Sequence, residues 1–529
     1  METTETRMSR SNPRAAAAGG LVGGAAITIL VAVAHSVAPS VPFLPESIAQ
    51  SLVRAAPGGF ATYFIERLGH WAIRLALAGT FAAFLGAGAL VGLLIPWLMR
   101  RLSWSAWAAG VLAFAPAWAA SVALYPSNPQ SLTRWPAAAA ILPIYVAGGL
   151  AAGWAYRRLA GAAGRQRATD LSRRYVLRAL WFGGLGVLIG LSDLGRLLYR
   201  RPDPGAGLLR VAHLEPATEP SASPGDATFR GVRGLTPRIT SNDEFYVVDE
   251  EIIDPDIDPA TWRLAVDGLV SRPLQLTYDE LLRFPVVERY QTLECISNEV
   301  GGDLISTARW EGVALGGILD RAGVRSGAAE VVFRCAGGYS ESLSIAQALD
   351  ERTLLAVGMN GHVLPRAHGF PARVLSIGTY GMKNPKWVTG IEVVDRPYQG
   401  FWEQRGWNKL AMVKTGSRID TPAGGTTVRG SVPIAGVAFA ADRGISRVEV
   451  STDGGRSWQP ALLETALSSS TWRRWLLRWE AAGSGQSRIV ARAYDGRGVV
   501  QAAVVTPPHP DGATGYEAIT VKRVPATGS

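Results

Sequence analysis

The sequence predicts a chain in three parts: an N-terminal helical membrane region, a mixed α/β domain and a C-terminal all-β sandwich. Three observations carry that division. Long apolar runs fill residues 1–200, short β-rich runs with brief helices fill 236–400, and short alternating strands fill 408–525. A length of 529 residues is ample for more than one domain.

The apolar runs cover about 19–38, 69–98, 104–124, 136–155 and 176–198. Each is long enough, as helix, to cross a hydrocarbon core of about 30 Å. Arginine sets their direction. Arg7, Arg10 and Arg14 precede the first run, and Arg100 and Arg101 follow the second. Arg157, Arg158, Arg165, Arg167, Arg173 and Arg174 fill the fourth connection, whereas the intervening loops hold only Arg54, Arg67 and Arg134. The positive-inside rule then expects a multi-pass cell-membrane protein with a cytoplasmic N-terminus. After five spans, everything past about residue 200 would be extracytoplasmic, although Arg196, Arg200 and Arg201 run against this.

Charge follows the same division. Residues 1–200 carry 18 Lys+Arg against 6 Asp+Glu, and the rest carry 35 against 37. The pI near 9.8 therefore belongs to the membrane part. No basic patch interleaved with aromatics lies beyond it, which excludes nucleic-acid binding.

Ser172-Arg173-Arg174-Tyr175-Val176-Leu177-Arg178 resembles the twin-arginine export motif and stands directly before the last apolar run. Such signals export domains already folded around a cofactor. The alternative is an ordinary basic flank of a membrane helix. Only His35 and His70 lie in the membrane half, at the outer ends of the first two runs. They could bridge a haem b, but a single interfacial pair is not the pattern of a quinol-oxidising cytochrome, and haem is not expected. Residues 201–235 hold Pro, Gly, Ser and Ala without periodicity and read as a linker.

Cys295 is the most informative residue of the α/β block. The β-leaning stretch Tyr290–Glu294 runs into it, and Ser297-Asn298-Glu299 with Gly301-Gly302 turns the chain behind it. That puts a thiol at the mouth of a loop, where a metal or an electrophile can reach it. The other readings are a buried or a disulfide-bonded cysteine, with Cys335 the one other cysteine available.

From about 236 to 400 the chain resembles the molybdenum-binding domain of the sulfite oxidase family. Seven stretches stand in that family's order. They are Thr236-Pro237 to Phe245-Tyr246, Trp262-Arg263-Leu264 to Asp267-Gly268, and Thr292-Leu293-Glu294-Cys295 to Asn298. Thr307-Ala308-Arg309-Trp310, Met359-Asn360-Gly361 to Leu364-Pro365-Arg366, His368-Gly369-Phe370-Pro371-Ala372-Arg373-Val374 and Lys386-Trp387 follow. The resemblance implies a mixed α/β fold and a molybdopterin cofactor, with Cys295 as thiolate ligand of the molybdenum and hence the catalytic residue. Thiolate suits that role because it is soft and strongly donating.

The resemblance also implies that His368 and Arg373 hold the pterin and its phosphate. Asn384, Pro385 and Lys386 would contact the cofactor partly through backbone groups, and Tyr246 and Val247 would lie near the metal. Cys335, in the β-rich run Val331–Cys335, would be a plain buried thiol. Lysine usage points to the same place: only five lysines occur, none before Lys383, and two stand in Gly381-Met382-Lys383-Asn384-Pro385-Lys386-Trp387. Clustered lysines in an arginine-rich chain suggest a site that favours a compact ammonium.

Departures from the family pattern bear on substrate. Val248 and Val300 stand where sulfite oxidases carry arginines, and Trp407 stands where they carry an active-site tyrosine. A dianion needs such cations to offset its desolvation. The expected activity is therefore oxygen-atom transfer to or from a small, not strongly anionic substrate such as a sulfoxide. An unidentified cytochrome or the quinone pool would be the electron partner. The alternatives are sulfite oxidation and a redox-inactive anchored binding module.

From 408 the strands Thr427–Val432, Ile434–Ala440, Ser446–Ser451 and Ser487–Tyr494, with turns at Asp453-Gly454-Gly455 and Asp495-Gly496, predict an immunoglobulin-like sandwich. Gly444–Ser451 through Trp458 resembles the family's C-terminal dimerisation domain, which implies a possible homodimer.

Overall fold

The computed structural model describes residues 13–37, 70–123, 134–163, 214–215, 222–251 and 254–525, which fall into two compact units. Among the described residues the first holds five helices: α1 (Pro13–Val37), α2 (His70–Gly92), α3 (Leu94–Leu102), α4 (Ala106–Ala123) and α5 (Arg134–Ala163). Small residues form their seams. A Cβ on Gly92 would lie 2.3 Å from the Ala16 carbonyl oxygen, and one on Gly110 would lie 2.2 Å from that of Gly149. Glycine is what lets α1 meet α2, and α4 meet α5, at backbone contact, as membrane helices do. Large apolar side chains such as Ile29, Leu90, Trp97 and Trp154 face outward instead.

Among the described residues three segments are long and apolar enough to cross a membrane: Pro13–Ala34, Ala78–Leu102 and Ala138–Ala160. The third expected span is shorter than its apolar run. Ala106–Val122 is below the length needed; the chain turns at Ser103, in a left-handed conformation, just before it. The fifth expected span at 176–198 and the export-like motif at 172–178 lie outside the described residues. So do the side chains of His35 and His70.

The second unit is built on four sheets. One runs in the order Leu214–Glu215, Val286–Glu294, Ile305–Ala314, Leu354–Met359, Arg373–Leu375, with His362–Val363 as a side branch. A second runs Leu274–Thr277, Arg263–Gly268, Val388–Val394, Glu330–Cys335, Ser340–Ser344. Leu264, Val266, Phe333 and Ile391 of the latter share a core with Leu355, Val357 and Val374 of the former, and the helix Leu315–Ala322 packs into it. This is the expected mixed α/β arrangement.

The last two sheets face each other as a sandwich. Four strands (Gly416–Thr421, Gly430–Phe439, Arg473–Ala481, Leu462–Leu463) oppose five (Thr427–Val428, Ala518–Arg523, Gly485–Asp495, Ile445–Ser451, Gln459–Pro460). Ile434 and Trp475 of one meet Val448, Ile489 and Ala491 of the other. The single strand expected over 427–432 is in fact two, split between the sheets at Gly430, whose φ of +61 lets the chain change layer. The end of the expected linker is packed rather than free. Phe229 is buried against Ala435 and Leu476, and Asp226 accepts the Thr465 N–H at 2.9 Å.

The sandwich is hydrogen-bonded to the strand that leads to Cys295. Thr292 N–H donates to the Ser470 carbonyl at 3.0 Å, and the Trp472 N–H donates to Thr292 Oγ1 at 2.8 Å.

Candidate molybdenum cofactor site

Cys295 follows directly on the strand Val286–Glu294. Its N–H donates to the Leu304 carbonyl at 2.9 Å, and its own carbonyl accepts from Asn298 N–H at 3.0 Å. Asn298 closes the loop by accepting the Leu304 N–H at 3.0 Å and donating to Glu294 at 2.9 Å. The half-buried thiol has Ser297 Oγ 2.9 Å away. Burial pushes its pKa up, and the Ser297 contacts only partly oppose this. Such a thiol is a poor free nucleophile, and a metal that displaces its proton is the natural way to use it. Cys335 is buried at the end of its strand, and neither cysteine is in a disulfide.

Tyr246 approaches from the other side. A Cβ on Gly381 would lie 2.8 Å from the Tyr246 hydroxyl and 3.9 Å from Cys295 Cα, so the bare glycine is where tyrosine and cysteine loop meet. Burial and then the neighbouring Cys295 push the tyrosine hydroxyl well above its usual pKa. Val247, beside it, is exposed. Phe245 stacks on the Tyr246 ring at 5.5 Å and meets the His368 ring edge-on at 5.3 Å, joining the metal side to the His368–Arg373 turn.

That turn is drawn tight by Gly369. With φ +114, a Cβ there would press on Arg373 and Lys386, at 3.0 and 3.1 Å. His368 is buried with Nε2 2.8 Å from the Asn242 carbonyl. Arg373 is only 6% exposed and donates to the His368 and Asn384 carbonyls, each at 3.1 Å, over the face of Trp310. Its Nε is buried without a partner, and no carboxylate pairs with it among the described residues. Burial pulls its pKa down to about 10. Lys386 donates to the Ala367 carbonyl at 2.9 Å and pairs with Asp249, and burial pulls it down to about 7. Asn384 Oδ1 accepts the Ser376 N–H at 2.7 Å, and the Pro385 carbonyl accepts that of Val374 at 2.9 Å.

The expected residues thus form two groups bridged by Phe245: Tyr246 with Cys295, and His368, Arg373, Asn384, Pro385 with Lys386. Lys383 belongs to neither. Its ammonium is buried against Glu341 at 2.8 Å, the Ser342 carbonyl at 3.2 Å and Glu403, so the lysine cluster of the sequence is half structural. Sequence reasoning gave no role to Phe245, Trp310, Asn242 or Asp249, although Phe245 and Trp310 stand in the stretches that carry the family resemblance.

A cleft beside the cysteine loop is lined by Glu294, Val300, Tyr380, Lys414 and Arg418. Val300 stands there, and the sandwich side contributes two cations that sequence reasoning did not place. Both are already neutralised, Lys414 by Asp511 and Arg418 by Asp420 at 2.8 Å.

The residues fit a cofactor-borne metal. Among the described residues no group of three or more His, Cys, Asp and Glu could hold a metal ion, so Cys295 would be a lone protein ligand and the remaining donors must arrive with a cofactor. Arg373, buried without a counter-ion, fits an anionic group at the far end of that cofactor. A lone thiolate, a buried cation and a mixed α/β scaffold define a metal-cofactor oxidoreductase.

Comparison with known proteins agrees. The oxidoreductase molybdopterin binding domain matches residues 251–402, and the Mo-co oxidoreductase dimerisation domain matches 411–507. Mitochondrial sulfite oxidase of Rattus norvegicus is 34% identical over 318 residues, 51% of this chain and 58% of that one. The uncharacterized oxidoreductase YuiH of Bacillus subtilis is 32% identical over 151 residues, 28% of this chain and 74% of that one. A chain of Azospira oryzae, provisionally named a protein-methionine-sulfoxide reductase subunit, YedZ1, is 34% identical over 163 residues, 31% of this chain and 60% of that one. The protein belongs to the sulfite oxidase family of molybdopterin-dependent oxidoreductases. It spans somewhat over half the length of the mammalian enzymes it matches.

Proposed function

We propose that this protein is a membrane-anchored molybdenum oxidoreductase that transfers an oxygen atom to or from a small, not strongly anionic substrate such as a sulfoxide. The observation that carries this reading is the cleft along the loop after Cys295, lined by Glu294 and Asn298, where Val300 stands and both nearby cations are neutralised by aspartates. A dianion would have to break those pairs, whereas a neutral substrate would not. The name of the Azospira relative points the same way.

In this reading Cys295 is the protein's ligand to the metal. The cofactor, when bound, supplies a two-electron metal couple able to exchange an oxygen atom with substrate. His368, Arg373 and Lys386 hold its anionic part, with Asn384 and Pro385 contributing largely through backbone. Tyr246 and Val247 line the metal side. Reduction of a sulfoxide consumes two electrons and two protons and yields a thioether and water. The electrons would come from a cytochrome or the quinone pool. The N-terminal helices anchor the chain with its N-terminus in the cytoplasm and its catalytic unit outside. The sandwich, immunoglobulin-like in size, would serve a homodimer.

Sulfite oxidation is the second reading, favoured by the presence of Lys414 and Arg418 at the cleft. The test is full-length protein purified in detergent from a host that makes the cofactor. Molybdenum is quantified by elemental mass spectrometry. Turnover is then compared for dimethyl sulfoxide with reduced viologen and for sulfite with ferricyanide. Near-stoichiometric molybdenum with faster sulfoxide turnover supports the proposal. Faster sulfite turnover replaces it with the second reading, and absent molybdenum leaves only a binding module.

A further inference from the structure

The loop that begins at Cys295 is closed from within and held from the sandwich. Inside it, Gly302 N–H donates to the Glu299 carbonyl at 2.9 Å, and Asn298 Oδ1 accepts the Leu304 N–H at 3.0 Å. These bonds give the loop its shape but do not fix where its tip stands. Val300, Gly301 and Gly302 form that tip, and all three line the cleft.

Two side chains of the sandwich meet the tip. Arg418, on the strand Gly416–Thr421, donates from Nη1 to the Gly302 carbonyl at 3.0 Å. Its Nη2 donates to Thr236 Oγ1 at 2.7 Å, and its Nε donates to Asp420 at 2.8 Å. Asp420 in turn accepts the Thr236 N–H at 3.0 Å. All three nitrogens of the guanidinium are engaged, so its planar fork has one orientation. Beside it, Glu517 accepts the Ile419 N–H, and a Cβ on Gly301 would lie 2.7 Å from the other carboxylate oxygen. Gly301, with φ +79, is what lets the tip come so near.

We propose that Arg418 is a positioning residue: by holding the Gly302 carbonyl it fixes the tip of the loop, and with it the direction in which Cys295 presents its sulfur. This rests on the reading of Cys295 as ligand to the metal and extends it to a side chain of the other sheet pair. A hydrogen bond from a charged donor favours one loop position over its alternatives by roughly ten- to a hundredfold. Lysine is no substitute. One ammonium could keep the pairing with Asp420, but it lacks the fork that reaches threonine and loop together.

The test uses full-length protein, apo and cofactor-loaded, with the variants Arg418→Lys and Thr236→Val. Arg492→Lys is the control, because Arg492 pairs with Glu449 at 2.6 Å elsewhere in the sandwich. Hydrogen exchange over residues 296–304 is measured in the apo form. In the loaded form, molybdenum content, the paramagnetic resonance of the half-reduced metal, and kcat and KM for dimethyl sulfoxide are measured. Arg418→Lys is expected to exchange about tenfold faster at the loop, keep its molybdenum and shift the resonance. Its kcat should fall about tenfold, with KM changed by less than about threefold. The control should leave all of these at wild-type values. Wild-type exchange at the loop in Arg418→Lys overturns the proposal, and so does equal loosening in Arg492→Lys, which would mark a general loss of stability. Faster exchange with an unshifted resonance sinks the ligand reading of Cys295, and the proposal with it. Should Arg418→Lys fail to fold, Thr236→Val decides: it frees one arm of the guanidinium and should show the same changes to a smaller extent, and wild-type exchange there overturns the proposal.

Discussion

Arg373 lies over the face of Trp310, 5.3 Å from the ring centroid, with its two hydrogen bonds spent on backbone carbonyls and none on a carboxylate. A guanidinium held this way is oriented before any anion arrives. The ring and the carbonyls offset part of its desolvation, and the remainder favours whatever negative group binds there.

Arg373→Met should therefore separate stability from cofactor retention. The apo form should be at least as heat-stable as wild type, because an uncompensated buried charge has been removed. Molybdenum retention should weaken about 10- to 100-fold. Thermal unfolding and elemental analysis of the same samples check this, and a variant that melts early but keeps its metal contradicts it.

Cys295→Ala removes the one protein ligand assigned to the metal. Oxygen transfer should fall to background, while melting temperature and circular dichroism stay near wild type because the thiol's one side-chain hydrogen bond among the described residues is to Ser297. Turnover close to wild type would remove Cys295 from the site.

Gly381→Ala places a methyl 2.8 Å from the Tyr246 hydroxyl and 3.3 Å from the Glu294 carbonyl. Overpacking of this kind costs about 1–3 kcal/mol. Tyr246 should be displaced from the cysteine loop, with a fall in kcat larger than any change in melting temperature. Gly381→Ser would behave similarly, and full activity in both would show that the tyrosine can give way.

Stability should fall as pH rises through neutrality. Burial raises Glu311 and Glu517 to about 7, opposed only in part by the Gly361 N–H and Arg309 beside the first and by the Ile419 N–H and Arg418 beside the second. Carboxyls whose folded pKa exceeds the unfolded value stabilise fully below the unfolded pKa, and that contribution is lost as pH climbs through the folded one. The window here runs from about 4.5 to about 7 and just beyond. Glu311→Gln keeps the acceptor for the Gly361 N–H and should flatten the melting-temperature profile over that range. A wild-type profile that rises over the same range would show the burial to be compensated.

Gly92→Leu should break the α1·α2 seam, since even a Cβ there would reach within 2.3 Å of the Ala16 carbonyl oxygen. Earlier unfolding of the helices in detergent, with the sheet-bearing unit unaffected, is the expected result by differential scanning and limited proteolysis.

Much of this was legible along the chain. Apolar runs marked α1, α2, α4 and α5, because these helices are apolar on most of their faces. The run ending at Glu294 placed Cys295 at the mouth of a loop, since a strand's composition and its closing turn are local properties. Among the described residues run length misled at 104–124, where the apolar helix Ala106–Val122 is too short to count as a span. The break at Gly430 was hidden for a related reason: both flanking strands alternate in the same way, and only pairing reveals that they belong to different sheets.

What the sequence by itself determined is the division into helical, α/β and all-β parts, the family order of motifs, and the candidate ligand Cys295. Tertiary structure alone decided which side chains meet. Gly369 presses Arg373 and Lys386 together, Trp310 slides under the guanidinium, and Lys383 turns away to Glu341 and Glu403. The sandwich delivers Lys414 and Arg418, more than a hundred residues from Cys295 in sequence, to the cleft. Periodicity and spacing report the face a residue shows to its own element. They carry no information about which distant element will pack against that face, and that packing sets the charge, burial and unpartnered atoms on which the chemistry depends.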